Sequence, residues 1–144
     1  MLTVEESIVI DRPREEVWGF FIDPDNVPVY CSNIVEYTLL DGDRDKVGRT
    51  CQGAAKVAGR RVEFKDEIVE MEEGRRSKLV SEDATIPYSL ELRYADEGTG
   101  TKVTWHQEME SLKGFFKFAD PIVLRMYGRD VRANLENAKT IMES

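Results

Sequence analysis

The chain has 144 residues, 41% hydrophobic and 33% charged, with a formal net charge of −8. That is one domain with enough apolar material for a core, which excludes an intrinsically disordered segment. The acidity disfavours nucleic acid and anionic membrane surfaces as partners, and no apolar run approaches the ~20 residues of a membrane-inserted helix.

In chain order, the first periodic segment is Val4 to Ile10. Val4, Glu6, Ile8 and Ile10 share one face, which is a strand pattern. Arg12-Pro13-Arg14-Glu15-Glu16 then starts a helix, with proline at its first position and acids in its first turn. Val17, Phe20 and Phe21 give it an apolar face, and Asp23-Pro24 ends it. A second short helical piece is expected over about Asp25 to Tyr30.

From Ile34 to about Ser111 the period changes to two. The expected strands are Ile34–Leu40, Gly48–Val57, Arg61–Met71, Arg75–Ser81, Ile86–Tyr94 and Lys102–Glu110. Turn chemistry separates them, at Asp41-Gly42-Asp43, Ala58-Gly59-Arg60, Glu72-Glu73-Gly74, Asp83-Ala84-Thr85 and Glu97-Gly98-Thr99-Gly100. Such short connections imply hairpins, hence an antiparallel meander.

Helical period returns at the end. Leu124, Tyr127/Gly128, Val131, Leu135, Ala138 and Ile141/Met142 recur every three or four residues, with Arg125, Arg129, Arg132, Glu136 and Lys139 on the other side. Either Asp120-Pro121 opens this helix, or it begins near Lys113 and kinks at Pro121. The expected class is α+β: strand, one or two short helices, six strands and a long helix in one domain spanning residues 1–144. A helix stripe needs an apolar partner, and the inner strand faces supply it.

Ile8-Val9-Ile10-Asp11-Arg12-Pro13, then Glu15-Glu16-Val17-Trp18 and Asp23-Pro24, resemble the START-related (SRPBCC) superfamily. Gly98-Thr99-Gly100-Thr101-Lys102-Val103-Thr104-Trp105 and the end helix extend the likeness over the chain. The branch resembled is that of polyketide cyclases/dehydrases and lipid-transport proteins. The resemblance implies a helix-grip fold, a curved seven-stranded antiparallel sheet around a C-terminal helix with a cavity between them. It does not choose among carriers, cyclases and co-chaperones. One departure is Tyr30-Cys31, where many members carry a tryptophan.

Three strands carry one polar residue in an otherwise apolar phase: Glu6, Asp66 (among Val62, Phe64 and Ile68) and Gln107 (among Val103, Trp105 and Met109). Ile86, Tyr88, Leu90, Leu92 and Tyr94 form a fully apolar phase. A few polar groups on an apolar concave wall are what a small-molecule pocket needs, although such residues near strand ends also simply reach solvent. Tyr30, Phe64, Asp66, Tyr88, Leu90, Trp105 and Gln107 are therefore candidate lining residues. Phe118, Ile122 and Met126 join them from the start of the long helix, where Pro121 and Gly128 loosen the pattern and the cavity mouth is expected. Cys51, Gly53 and Ala55, small residues in one phase, favour open volume.

Other motifs are weaker. His106 is the single histidine and falls on the outer phase of its strand; with Cys31 and Cys51 it gives no zinc set and no nucleophilic triad. Asp41-Gly42-Asp43-Arg44-Asp45 ends in the wrong residue for a calcium loop, and no phosphate-binding glycine motif occurs. No metal or cofactor is expected. The start of the chain has no basic or apolar leader pattern, so a cytoplasmic protein with two free thiols is expected. The leading functional expectation is binding or transport of a small hydrophobic molecule, such as a lipid, polyketide or isoprenoid-like compound. The alternatives are a polyketide aromatase/cyclase using Tyr88, Asp66 and Gln107, and a co-chaperone-like interaction module. Monomer and dimer both stay open.

Overall fold

Strand alternation organises most of the chain in the computed structural model, which describes residues 2–57, 59–82, 84, 86–110 and 120–144. Strand β1 (Leu2–Ile10) is followed by helix α1 (Arg14–Ile22), a 3-10 turn over Pro24–Asn26, and the single-turn helix α2 (Val27–Tyr30). Pro13 precedes α1 at φ −60°, a dihedral already suited to helix entry. Val17, Trp18, Phe21 and Ile22 are the buried face of α1. Trp18 meets Tyr94 edge-on at 5.4 Å between ring centroids, and Phe21 meets Tyr30 at 4.9 Å.

Strands β2 (Ile34–Asp41), β3 (Thr50–Val57), β4 (Arg60–Glu72), β5 (Arg76–Glu82), β6 (Tyr88–Glu97) and β7 (Gly100–Met109) follow. They form one seven-stranded sheet in the order β1-β7-β6-β5-β4-β3-β2, with every neighbouring pair antiparallel. The meander expected from the turns is present, with β3 and β6 each beginning two residues later than the alternation suggested. The first strand closes the far edge, pairing with β7 from Leu2↔Met109 to Ile10↔Thr101.

Helix α3 (Asp120–Glu143) completes the helix-grip fold. Within the described residues it begins at Asp120; the alternative start near Lys113 lies outside them. It runs in the same direction as β1 and is tied to it three times. Arg132 Nη1 donates to Glu6 Oε1 at 2.9 Å, Lys139 Nζ to the Val9 carbonyl at 2.6 Å, and the Asp11 N–H to Glu143 Oε2 at 2.7 Å. Three strand residues and seven helix residues both advance ~10 Å, so the two elements stay in step over these ties.

The other flank of α3 is fixed by amides. Asn134, 2% exposed, accepts from the Ser32 N–H at 3.1 Å and donates to Asn33 Oδ1 at 2.7 Å. Asn137 donates to the Tyr30 carbonyl at 3.2 Å. The buried face of α3 therefore includes Val123 and Asn134 beside the expected Val131, Leu135 and Ala138. Gly128 neither admits a close neighbour nor opens the interior: a Cβ there meets nothing within 4 Å, and the residue borders the outer groove between α3 and β1.

Replacing Asn134 with Ala leaves the Ser32 N–H without its acceptor in a part-buried site. A stability loss of ~2 kcal/mol is expected, measured as a lower urea midpoint with an unchanged m-value.

Candidate ligand cavity

Among the described residues, the concave face of β2–β7 does not close fully against the helices. Between it and α1, α2 and α3 lies a cavity of ≈ 110 Å³. The wall is chiefly apolar, built from inward phases of the strands such as Ile34, Val62, Phe64, Leu79, Leu90 and Leu92.

Seven of the residues singled out in the sequence come together here: Tyr30, Phe64, Asp66, Tyr88, Leu90, Trp105 and Gln107. Ile122 and Met126 do not. They are 54% and 40% exposed, which corrects the expectation that they face the interior. The inward line of α3 is instead Val123, Tyr127 and Val131, and one residue along a helix turns ~100° away from it. Phe118 lies outside the described residues. Glu6 faces the helix rather than the cavity, ion-paired with Arg132. His106 also stays outside, with Nδ1 2.8 Å from Glu5 Oε1.

Asp66 is the carboxylate on the wall, 2% exposed. Tyr37 Oη donates to its carboxylate at 2.9 Å, and Tyr88 Oη donates to Oδ2 at 3.0 Å. Arg49, 3% exposed, donates through Nη2 to Tyr37 Oη at 3.4 Å. Its Nη1 is held by the carbonyls of Ile22, at 2.6 Å, and Arg44, at 2.9 Å. Burial raises the Asp66 pKa from an ordinary 3.8 to about 6, against the opposing pull of the two tyrosines and Arg49. Burial also pushes both tyrosine hydroxyls well above their usual value, so they remain donors at neutral pH.

A second polar group sits on β7. Gln107 Oε1 accepts from Trp105 Nε1 at 3.0 Å and from Tyr127 Oη at 3.0 Å. Indole nitrogen only donates, so this contact fixes which end of the Gln107 amide is the oxygen.

Sequence reasoning missed Tyr37, Arg49 and Tyr127. The alternation of β2 is weak, with Tyr37 its one buried residue, and an arginine beside Gly48 reads as surface. The available signal was Gly53. It pairs with Tyr37 on one side and Phe64 on the other, and a Cβ there would meet Glu36 O and Phe64 Cζ at 2.6 Å and Tyr37 Cδ1 at 3.0 Å. The run of small residues in β3 thus admits two aromatic rings at Gly53 and leaves open volume only at Ala55.

Cys31 and Cys51 are buried free thiols, remote from the outer strand phase that carries His106, and burial pushes Cys31 up to about 12. Among the described residues, no group of three or more His, Cys, Asp or Glu is placed to hold a metal ion. No described helix is long and apolar enough to cross a membrane.

With this geometry, the comparison with known proteins is direct. Residues 1–143 match the family model for polyketide cyclase / dehydrase and lipid transport proteins. The chain belongs to this family. No curated protein matches the sequence. Among solved structures, TTHA0849 from Thermus thermophilus superposes with a TM-score of 0.82 at 17% identity, covering 96% of this chain and 95% of that one. A START superfamily protein from Mycobacterium smegmatis gives 0.80 at 11% identity, covering 98% and 97%. Ginseng major latex-like protein 151 from Panax ginseng gives 0.76 at 19% identity, covering 96% and 95%. At these identities the structural matches establish the shared fold; they assign no ligand.

Two outcomes test the site. Gly53→Ala forces a Cβ against the β2 backbone and is expected to cost ~2–3 kcal/mol in chemical denaturation. Asp66→Asn tests the buried charge. The folded-state pKa lies above the ordinary one, so this group's stabilising contribution is complete below pH ~3.8 and is lost as pH rises through about 6. The stability difference between variant and wild type should shift toward the variant by about 2 kcal/mol between pH 4 and pH 8 in urea titrations.

Proposed function

We propose that the protein binds and carries a small hydrophobic molecule in the cavity between sheet and helices. The observation that carries this reading is the combination of an open, mostly apolar interior with a few inward hydrogen-bonding groups, the composition of a small-molecule site. A domain acting only through its outer surface, as a co-chaperone-like module would, has no need of unfilled interior volume, which costs stability. Family membership supports the reading at the level of hydrophobic ligand binding. A cytoplasmic location accords with it.

One observation favours a second reading, a cyclase or dehydratase. Burial raises the Asp66 pKa to about 6 beside two tyrosine hydroxyls on the cavity wall, and a carboxyl so shifted is better suited to take or return a proton than an ordinary one. An apolar cavity would hold a reactive chain folded against it. Ligand carriage needs only the cavity; the enzyme reading additionally requires turnover that Asp66→Asn abolishes.

The test is native mass spectrometry of the purified protein for a co-purified small molecule, paired with titration of the neutral two-ring dye 6-propionyl-2-(dimethylamino)naphthalene. Wild type is expected to bind dye in the micromolar range. Ala55→Phe, which fills the cavity from β3, should weaken binding at least ~10-fold while circular dichroism stays unchanged. Bare protein together with no dye uptake, or equal binding by the filled variant, would refute the reading.

A further inference from the structure

Among the polar side chains on the cavity wall, Asp66 and Gln107 have opposite hydrogen-bonding sense. At the β4 end, the single hydroxyl protons of Tyr37 and Tyr88 are both directed at Asp66. A carboxylate offers about four lone-pair sites and a tyrosine hydroxyl keeps lone pairs after donating, so this end presents acceptors, with the buried Arg49 Nε–H as a donor without a hydrogen-bond partner, a combination that a ligand hydroxyl satisfies by donating and accepting together. At the β7 end, the Gln107 oxygen is occupied by Trp105 and Tyr127, so the group it has to offer is its amide NH2.

The charge inside is balanced. Arg49 and Asp66 are both buried and are bridged by Tyr37, so an ionic ligand would unbalance the site. The register also sets a length. Strands β5 and β6 separate β4 from β7, and the pairings put Asp66 in the row of Met109, so the two polar ends stand three strand spacings, or ~14 Å measured along the curved sheet, and two residues apart.

We propose that the cavity's ligand is a neutral, elongated, apolar molecule with a hydroxyl at one end, donating to Asp66, and a carbonyl at the other, accepting from Gln107. This rests on the carrier reading and narrows it to a hydroxylated ketone, aldehyde or ester. Fully hydrocarbon ligands use neither the spare lone pairs of Asp66 nor the Gln107 amide, and fatty-acid anions place a third charge beside Asp66.

Three neutral fluorescent probes of one ring system test the assignment with the wild-type protein. 6-Acetyl-2-naphthol carries both groups, 2-acetylnaphthalene lacks the hydroxyl, and 6-ethyl-2-naphthol lacks the carbonyl. Neither truncated probe is larger than the first, so no steric clash can explain weaker binding. At pH 7.5 the first is expected to bind about 10-fold or more tightly than either of the others. Its advantage over 2-acetylnaphthalene should shrink at pH 5, where a protonated Asp66 gains a hydrogen to donate while the Tyr37 and Tyr88 hydroxyls stay protonated. Three equal affinities, or a hydroxyl preference unchanged at pH 5, would overturn the assignment and leave the carrier reading standing. Failure of all three probes to bind, with 6-propionyl-2-(dimethylamino)naphthalene also excluded, would overturn both.

Discussion

The alignment of α3 with β1 governs the interior of this protein. Because seven helix residues and three strand residues cover the same distance, the ties at Glu6, Val9 and Asp11 are satisfied together only when the helix follows that edge of the sheet. The amide contacts of Asn134 and Asn137 hold the opposite flank at the α2 end. A helix so placed does not settle into the middle of the concave face. Among the described residues, α3 contributes only Tyr127 to the cavity wall, and the central strands are left facing open space.

What fills the electrostatic side of that space is a compensated pair rather than a lone charge. A carboxylate buried in an apolar wall would be costly, and here two hydroxyls and a nearby guanidinium reduce the cost without removing it. The arrangement depends on a residue with no side chain. Gly53 lets the Tyr37 ring lie across β3, and without that approach the hydroxyl that bridges Arg49 and Asp66 would sit elsewhere. The polarity of the cavity is thus encoded partly in the packing of a hairpin at the sheet edge opposite the one that α3 follows.

The fold was legible in the sequence because its determinants are local: period-two runs, turn residues at regular intervals, Pro13 before α1 and a long helical stripe. Most of the site was legible for a related reason. Asp66 and Gln107 interrupt an apolar phase, and strand alternation fixes which way such a residue points. The failures came where periodicity carries less information. A helix stripe defines its face only to within about a residue, so Ile122 and Met126 were assigned inward when Val123 and Tyr127 hold that position. Tyr37 and Arg49 enter through contacts between distant elements, and Asn134 is an amide whose partners, Ser32 and Asn33, are more than a hundred residues earlier.

The β1–β7 pairing also bears on how the chain reaches this structure. Leu2 is paired with Met109, so β1 waits for β7, the last of the seven strands, before its backbone is satisfied. Every other pairing in the sheet joins consecutive strands. The hairpins of β2 to β7 close short loops and carry little entropic cost, whereas docking β1 closes a loop of about a hundred residues. The sheet can therefore assemble from β2 outward, with β1 and α3 adding together at the end. On that order of events the cavity is enclosed by the slowest step of folding, and a chain that has not finished folding exposes the same apolar surface that the finished one encloses.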